Sequence, residues 1–180
     1  MKTLKKILAL TITMSIVLFS SCSKSDGAVG SGSATSGTLT AKVDGTSYQS
    51  MEISSSATVA TTSQGDNLVI IASNSDGNAF AITIFGYTGI GTYDISGANI
   101  AVTNSASYSE TAVNLSNPQA SVIEIWQAPY NDTKVGSLTV SEETGSNIKA
   151  TFNFKCKNVL TDNTIKNITN GAFNLNKKTI

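Results

Sequence analysis

The sequence predicts an all-β domain, an antiparallel β-sandwich or a closed β-barrel of about nine or ten short strands. Apolar and polar residues alternate with a period of two in several segments. Gly, Asn, Asp and Ser separate these segments, at the spacing of turns in small β domains. No segment sustains a period of 3.6 residues, so we expect no helix longer than two turns.

The first predicted strand is residues 39–43 (LTAKV), in which Leu, Ala and Val alternate with Thr and Lys. Asp44-Gly45 follows it, and this dipeptide is typical of a two-residue hairpin turn. In the register of such a hairpin, Ala41 should face Tyr48.

The next predicted hairpin is the most clearly marked one. Residues 68–72 (LVIIA) are apolar at every position, which predicts a central strand. A turn signal at 75–78 (SDGN) leads into 80–84, where Phe80 and two isoleucines alternate with Ala and Thr. Glycines interrupt the chain at 86–91, and 110–118 is interpreted as a polar connection. Further strands are predicted at 92–95, 101–108 (a weak one), 121–127, 134–140, 147–157 and 165–175.

The segment 147–157 has the clearest alternation in the chain. Phe152, Phe154 and Cys156 share one face, and three lysines lie on the other, as in a half-buried antiparallel strand. Cys156 is therefore expected to be a small buried hydrophobe. A nucleophilic role is disfavoured, since the chain has no His to activate the thiol.

Composition excludes several classes of function. The chain has no His, and all twelve of its Lys+Arg residues are lysines, balanced by twelve Asp+Glu residues. The commonest general base and metal ligand is therefore missing, as is the side chain that binds phosphate in a bidentate manner. Since the charge balance is not basic, we expect no nucleic-acid partner.

The amino terminus has the order of a secretory signal. Three lysines in the first six residues precede an uncharged apolar run at 7–19, and Ser20, Ser21 and Cys22 follow. The run is shorter than the roughly 20 residues of a membrane-spanning helix. The position of Cys22 resembles a bacterial lipobox, which implies cleavage after residue 21 and lipidation of Cys22. The alternatives are ordinary secretion with Cys22 as a thiol, and a permanent span.

The domain prediction follows from this reading. Residues 1–21 are a lipoprotein signal peptide, 22–37 a lipidated cysteine and a flexible Ser/Gly tether, and 38–180 a single β domain. Two or more acyl chains give stable anchoring to a membrane. Ser23 after the cysteine resembles outer-membrane lipoproteins, so we expect an outer-membrane, extracytoplasmic location. Both the periplasmic and the cell-surface face are compatible with the sequence.

A family resemblance lies in the order of several short motifs. The lipobox and tether are followed by TLTAKVDGTSYQS, GYTGIGTYDI, NSASY, IKATFNFKCKN and ITNGAFNLN. This order resembles a family of small Bacteroidota lipoproteins that carry a domain of unknown function. The resemblance implies an all-β extracytoplasmic domain, and it implies no catalytic residue.

Four aromatic residues are the candidates for ligand binding. Trp126, with Tyr130 in the following loop, is the first pair, and Tyr87 with Tyr93 is the second. Trp126 shares its strand phase with Glu124, while Ile123 and Ile125 lie on the opposite face, as for an exposed ring that stacks on a sugar. The preferred interpretation is that Trp126 closes the end of the core.

The acids suggest no catalytic or metal site. Glu142 and Glu143 are adjacent, so they should point to opposite faces of a strand, and we interpret them as part of a solvated turn. Asp44-Gly45 and Asp76-Gly77 are explained as turns, because a calcium loop would show several acids at alternate positions. We therefore expect no metal and no cofactor.

The sequence thus predicts a non-enzymatic, lipid-anchored binding module. A glycan or another protein of the cell envelope is the expected partner. The alternatives are a structural or assembly role without a small ligand and, less favoured, a hydrolase.

Overall fold

The computed structural model describes residues 33–99 and 102–180. The predictions for the signal peptide, for Cys22 and for the tether up to residue 32 concern residues outside these ranges. The described chain is all-β, as predicted, with eleven strands and two single-turn 3₁₀ segments. The strands are β1 (Thr38–Val43), β2 (Thr46–Gln49), β3 (Ser55–Thr62), β4 (Gly65–Ser73), β5 (Ala79–Tyr87), β6 (Gly91–Ser96), β7 (Ser105–Ala112), β8 (Val122–Ala128), β9 (Lys134–Glu143), β10 (Asn147–Lys157) and β11 (Ile165–Thr179).

The strand pairings close into a ring, which gives a barrel-like sandwich. The strand order is β2-β1-β11-β3-β4-β5-β7-β8-β10-β9-β6, and β10 also pairs with β11. Seven strands therefore form a closed ring, in the order β11, β3, β4, β5, β7, β8 and β10. β1 and β2 extend the sheet beside β11, and β9 and β6 extend it beside β10. The hydrophobic core lies inside this ring.

β11 makes the closure possible because it has three partners. β10 runs antiparallel along one edge, from Asn147↔Asn176 to Lys157↔Ile165. β1 pairs with β11 up to Asn174, and β3 then pairs in parallel with residues 177–179. Asn170, with φ 51°, is the extra residue of a bulge that shifts the register toward both antiparallel neighbours. Such a bulge bends the strand, so one long strand serves two parts of the sheet.

The structure differs from the predicted strands at two places. β3 was not predicted, because its sequence SSATVATT is mostly Ser and Thr, and just two of its residues, Ala57 and Val59, become buried. β7 runs over 105–112, whereas the prediction placed a strand at 101–108 and a polar connection from residue 110. Glu110 therefore lies in a strand, and its position matters for the site below.

The predicted hairpins are confirmed. Ala41 pairs with Tyr48 in β1–β2, and Ile70 pairs with Ile82 in β4–β5. β4 lies inside the sheet between β3 and β5, as predicted for a central strand. Its apolar run is not buried on both sides, however, since Ile71 points outward and is 52% exposed.

Aromatic rings fill the centre of the core. The Phe80 ring lies 4.8 Å from that of Tyr48 and 4.9 Å from that of Tyr108, with Phe152 and Phe154 at 5.9 and 6.3 Å. Cys156 is fully buried, as expected for a small hydrophobe. Burial raises the pKa of its thiol to about 12, which disfavours the reactive thiolate.

Candidate functional site

The inward face of β8 carries Trp126, so the exposed position considered for this residue is wrong. Trp126 is 3% exposed, whereas Ile123 on the opposite face is 64% exposed. The reason is the register with β7, in which Trp126 pairs with the core residue Tyr108. The prediction that Trp126 and Glu124 share one face of the strand was correct. Pairing with β7 decides that this face points to the core. The interpretation of Trp126 as a core residue is confirmed.

Trp126 is held by a polar contact and a cation. Its Nε1–H donates to Oγ1 of Thr164 at 2.9 Å. The Nζ atom of Lys166 lies 4.4 Å from the centroid of the indole ring, within the range of a cation–π interaction. The Tyr108 ring lies 6.2 Å from that of Trp126, and 5.8 Å from the same ammonium group.

Lys166 also neutralises one member of a pair of acids. Its Nζ forms an ion pair with Oε1 of Glu110 at 2.8 Å. β7 and β8 place Glu110 directly opposite Glu124, where two like charges repel each other. The ion pair from β11 offsets this repulsion, so the two glutamates can share one side of the sheet.

A polar pocket of about 280 Å³ lies beside this ion pair, and we call it the carboxylate pocket. Three acids, two amides, one ammonium group and four hydroxyl groups contribute to its wall. Its lining residues are Val43, Asp44, Thr46, Ser47, Tyr48, Asn74, Asp76, Asn78, Tyr108, Glu110 and Lys166. An adjoining cleft of about 510 Å³ shares Asn78 and Glu110 with the pocket, and Glu124 lies on its far side.

Two turns build the rim of the carboxylate pocket. Asp44 and Gly45 have φ values of 48° and 85°, as in a type I′ hairpin turn, and Oδ1 of Asp44 accepts from the Asn167 backbone N–H at 2.8 Å. In the β4–β5 turn, Oδ1 of Asn74 accepts from the backbone N–H groups of Asp76 and Asn78. The first turn is thus fixed to β11 and the second is closed by hydrogen bonds of its own, so both parts of the rim are held in place.

The two tyrosines of the pocket are neutral donors. The hydroxyl group of Tyr48 donates to the backbone oxygens of Ala72 at 3.0 Å and Asn78 at 3.1 Å. Burial raises the pKa of Tyr48 well above its ordinary value. Burial, followed by the nearby Glu110 carboxylate, does the same for Tyr108. The polar wall therefore contains protonated phenols beside carboxylates.

The predicted pair Tyr87 and Tyr93 is brought together, but elsewhere. Tyr87 lies at the end of β5, whereas Asn78 of the carboxylate pocket precedes the start of that strand. The two rings are 5.5 Å apart. Tyr87 is 5% exposed, and the Tyr93 hydroxyl group donates to the Gly89 backbone oxygen at 2.7 Å. Tyr130, predicted beside Trp126, follows the Ala128-Pro129 bond and is partly buried.

Glu143 is not part of a solvated turn, which corrects the prediction for the adjacent acids. It ends β9 and accepts from the Tyr87 hydroxyl group at 2.8 Å and from Lys177 Nζ at 2.5 Å. Burial works to raise the pKa of Glu143, but the hydrogen bonds from Lys177 and Tyr87 and the charge of Lys177 lower it overall. Glu142 points away and forms an exposed ion pair with Lys149.

The sequence did not predict that the residues of the carboxylate pocket lie together. For two of them the alternation pattern indicates an inward-facing position. Glu110 is in phase with Tyr108 and Ala106, and Lys166 is in phase with the buried Ile168. Their convergence could not be predicted, because it depends on the pairing of β7, β8 and β11.

Two properties of the described residues bear on the class of site. Between residues 33 and 99 and between 102 and 180, no three Asp, Glu, Cys or His side chains lie close enough together to hold a metal ion. Over the same ranges, the structure contains no helix with the length and apolarity needed to span a bilayer.

The fold and the pocket define an all-β, barrel-like domain with a polar site beside one ion pair. The model of one protein family, a domain of unknown function designated DUF6252, matches residues 35–175. The chain belongs to this family. No curated protein and no solved structure matches it.

Proposed function

We propose that this chain is an extracytoplasmic, lipid-anchored binding module that takes a saccharide unit in the carboxylate pocket and does no chemistry on it. The observation that carries the proposal is the composition of that pocket. Carboxylate oxygens accept hydrogen bonds from sugar hydroxyl groups, while the Lys166 ammonium group donates. The pocket volume of about 280 Å³ suits one sugar ring better than a protein segment.

The charges of the residues that line the carboxylate pocket also restrict the kind of sugar that it can bind. Asp44, Asp76 and Glu110 line the pocket, and Lys166 is the one cation among the described residues of its wall, already paired with Glu110. A phosphate or sulfate group would meet uncompensated carboxylates there. The ligand is therefore a neutral or amino sugar rather than an anionic one.

Fluorescence of Trp126 tests this binding directly. Trp126 is the sole tryptophan in the sequence, and Lys166 lies against both its ring and the pocket. Titration with neutral and amino oligosaccharides should give a saturable change in emission. A flat response to the whole panel contradicts the proposal and favours the structural alternative.

A pair of variants locates the site. Asp76 is exposed on the pocket rim, so Asp76→Ser should leave the fold intact and weaken binding about tenfold, the effect of losing one charged hydrogen bond. Asp132→Ser is the matched control, since Asp132 is also exposed but does not line the pocket. Equal affinities of the two variants would place the ligand elsewhere.

The lipid anchor has its own experiment. In the native cell, Cys22→Ser should release the protein from the membrane fraction, because the thiol that carries the diacylglycerol is gone. Cys156→Ser is the control, since Cys156 is buried in the core and should not affect localisation. Mass spectrometry of the native protein should show cleavage after residue 21 and acyl chains on Cys22. An unmodified Cys22 or an intact leader contradicts the anchor.

Hydrolysis is the second candidate function, and one specific observation favours it. Glu110 and Glu124 lie directly opposite each other and line the same cleft of about 510 Å³. Opposed cross-strand residues have Cβ atoms roughly 5 Å apart, so two carboxylates meet there, as glycoside hydrolysis requires. Incubation of the same panel, with Glu124→Gln as control, separates the candidates. Cleavage that disappears in Glu124→Gln overturns the non-enzymatic proposal.

A further inference from the structure

One outer face of the sheet carries no charged side chain among residues 33–99 and 102–180. It consists of the outward-facing residues of five neighbouring strands, β3, β4, β5, β7 and β8, and we call it the uncharged face. The row Ser56, Ile71, Ala81, Ser107 and Gln127 crosses all five strands. The residues above and below this row are Ser, Thr, Ala, Asn, Val, Ile and Phe, all within the described part of the chain.

The other outer face of the molecule is different. The outward positions of β1 and β10 include Lys42, Lys149, Lys155 and Lys157. In the described ranges, every lysine lies on β1, β9, β10 or β11. Charge is therefore segregated between the two faces and does not cover the surface evenly.

The uncharged face combines short side chains with a few exposed apolar ones. Ser, Ala and Thr dominate it, so a second sheet can approach to the usual separation of about 10 Å. Ile71 and Phe85 on β4 and β5, and Ile123 and Ile125 on β8, are 38% to 64% exposed. Interface cores are likewise depleted in charge and contain exposed apolar side chains of this kind.

We infer that the uncharged face binds the same face of a second copy of this chain. A partner that carries charges would have to bury them here without compensation, which is costly. The face itself is the complementary surface, because two uncharged faces meet without repulsion around a two-fold axis, the commonest symmetry of protein dimers.

The dimensions of the uncharged face limit the area that a dimer contact can bury. Five strands about 4.8 Å apart and four rows about 7 Å apart cover roughly 20 by 20 Å. Two such faces bury about 800–1,000 Å² in total, less than the roughly 1,200–2,000 Å² of stable specific interfaces. The dimer is therefore expected to be weak and reversible.

Site-specific cross-linking tests the inference in the full-length, detergent-solubilised protein. Ala81→Cys places a thiol on the central strand of the face, where it should meet its own copy near the axis. A short bis-maleimide should then produce an adduct of twice the chain mass. Asn153→Cys is the matched control, since Asn153 is exposed in the middle of β10, beside Lys155 on the other face.

A charge variant provides the second readout. Ile71→Lys, in a protein with Ala81→Cys, should weaken dimerisation at least tenfold by sedimentation equilibrium and remove the cross-linked dimer. Asn153→Lys should change neither, and circular dichroism checks that both variants fold. Equal cross-linking of Ala81→Cys and Asn153→Cys would overturn the inference. So would an adduct of any other mass, because a different partner would then cover the face.

Discussion

Lys166 is the residue on which the carboxylate pocket depends most. One ammonium group contacts the rings of Trp126 and Tyr108 and neutralises Glu110. The lysine is 18% exposed, so water screens its interactions less than those of an ordinary surface ion pair. It thereby connects the core aromatic cluster to the polar wall of the pocket.

Replacement of this lysine has a specific expected outcome. Lys166→Met retains the aliphatic contact with Trp126 but leaves Glu110 facing Glu124 without a counter-charge. The free energy of unfolding in urea should fall by about 1–2 kcal/mol, and Trp126 emission should change. Lys155→Met, on the exposed face of β10, is the control and should stay within about 0.5 kcal/mol of the native protein. Equal effects of the two variants would contradict the role of Lys166.

Glu143 supports a prediction of pH dependence. Its pKa is lowered in the folded state, so its contribution to stability is complete above the ordinary pKa of about 4.5 and is lost as the pH falls through the folded value. Glu143→Gln should cost about 1–3 kcal/mol at pH 7, because the amide carries no charge to pair with Lys177 and keeps just one of the two acceptor oxygens. Its stability should also depend less on pH below 4.5 than that of the native protein.

Glu142→Gln is the matched control for this experiment. Glu142 is the neighbouring acid, and its ion pair with Lys149 is 43% to 47% exposed, so the substitution should have little effect at either pH. Thermal unfolding of the three proteins between pH 3 and pH 7 measures the difference. Parallel curves for Glu143→Gln and the native protein would show that another group is responsible.

At the level of elements, close contact between β9 and β10 requires a glycine. A Cβ atom at Gly136 would collide with the backbone oxygen of Asn153 and with Phe154. The two strands pair at this point, Phe154 opposite Gly136, so neither backbone can move away without breaking the ladder. β9 can therefore lie on β10 because residue 136 has no side chain.

Gly136→Ala should destabilise the domain by about 1–3 kcal/mol, as expected for overpacking in a well-ordered interior. Gly145→Ala is the control, since a Cβ atom there would meet nothing within 4 Å and its φ is not in the left-handed region. Chemical denaturation of both variants measures the difference. A Gly136→Ala protein as stable as Gly145→Ala would mean that the strands can separate at little cost.

Closure of the barrel is a property of the whole molecule and depends on its last residues. Residues 177–179 pair in parallel with 57–59, and Ile180 exchanges backbone hydrogen bonds with Val59 and Thr61. This is the connection that joins β3 to β11 and completes the ring. The pairing joins residues about 120 positions apart in the chain, so it forms after the local hairpins.

Deletion of residues 177–180 should therefore lower the thermal midpoint by far more than any single surface change, because β3 loses one edge partner and the core opens along it. Two controls separate the causes. Lys177→Met removes the ion pair with Glu143 but keeps the backbone, and Lys178→Ala alters an exposed side chain of the same segment. If the deletion behaves like Lys177→Met, the ion pair and not the closure stabilises this end.

How far the sequence predicts the molecule depends on how local the cause is. The alternation in 147–157 and the Asp44-Gly45 turn predicted β10 and the β1–β2 hairpin correctly, since side-chain period and turn geometry are properties of neighbouring residues. β3 was missed because its polar sequence becomes a strand through its partners β4 and β11. Of the site, the alternation around Trp126 and its preferred interpretation as a core residue are confirmed, whereas its partners Tyr108 and Lys166 on other strands were not predicted.

The amino-acid sequence by itself determined the fold class, the local hairpins, the burial of Cys156 and the absence of His and Arg from any chemistry. Only the tertiary structure decided that Trp126 faces inward and that Lys166 reaches Glu110 from another strand. It also decided that the charged side chains of the described strands lie away from one outer face of the sheet. The physical reason is that periodicity tells which side chains share a face, whereas the pairing of distant strands decides which face is covered and which residues of different strands meet.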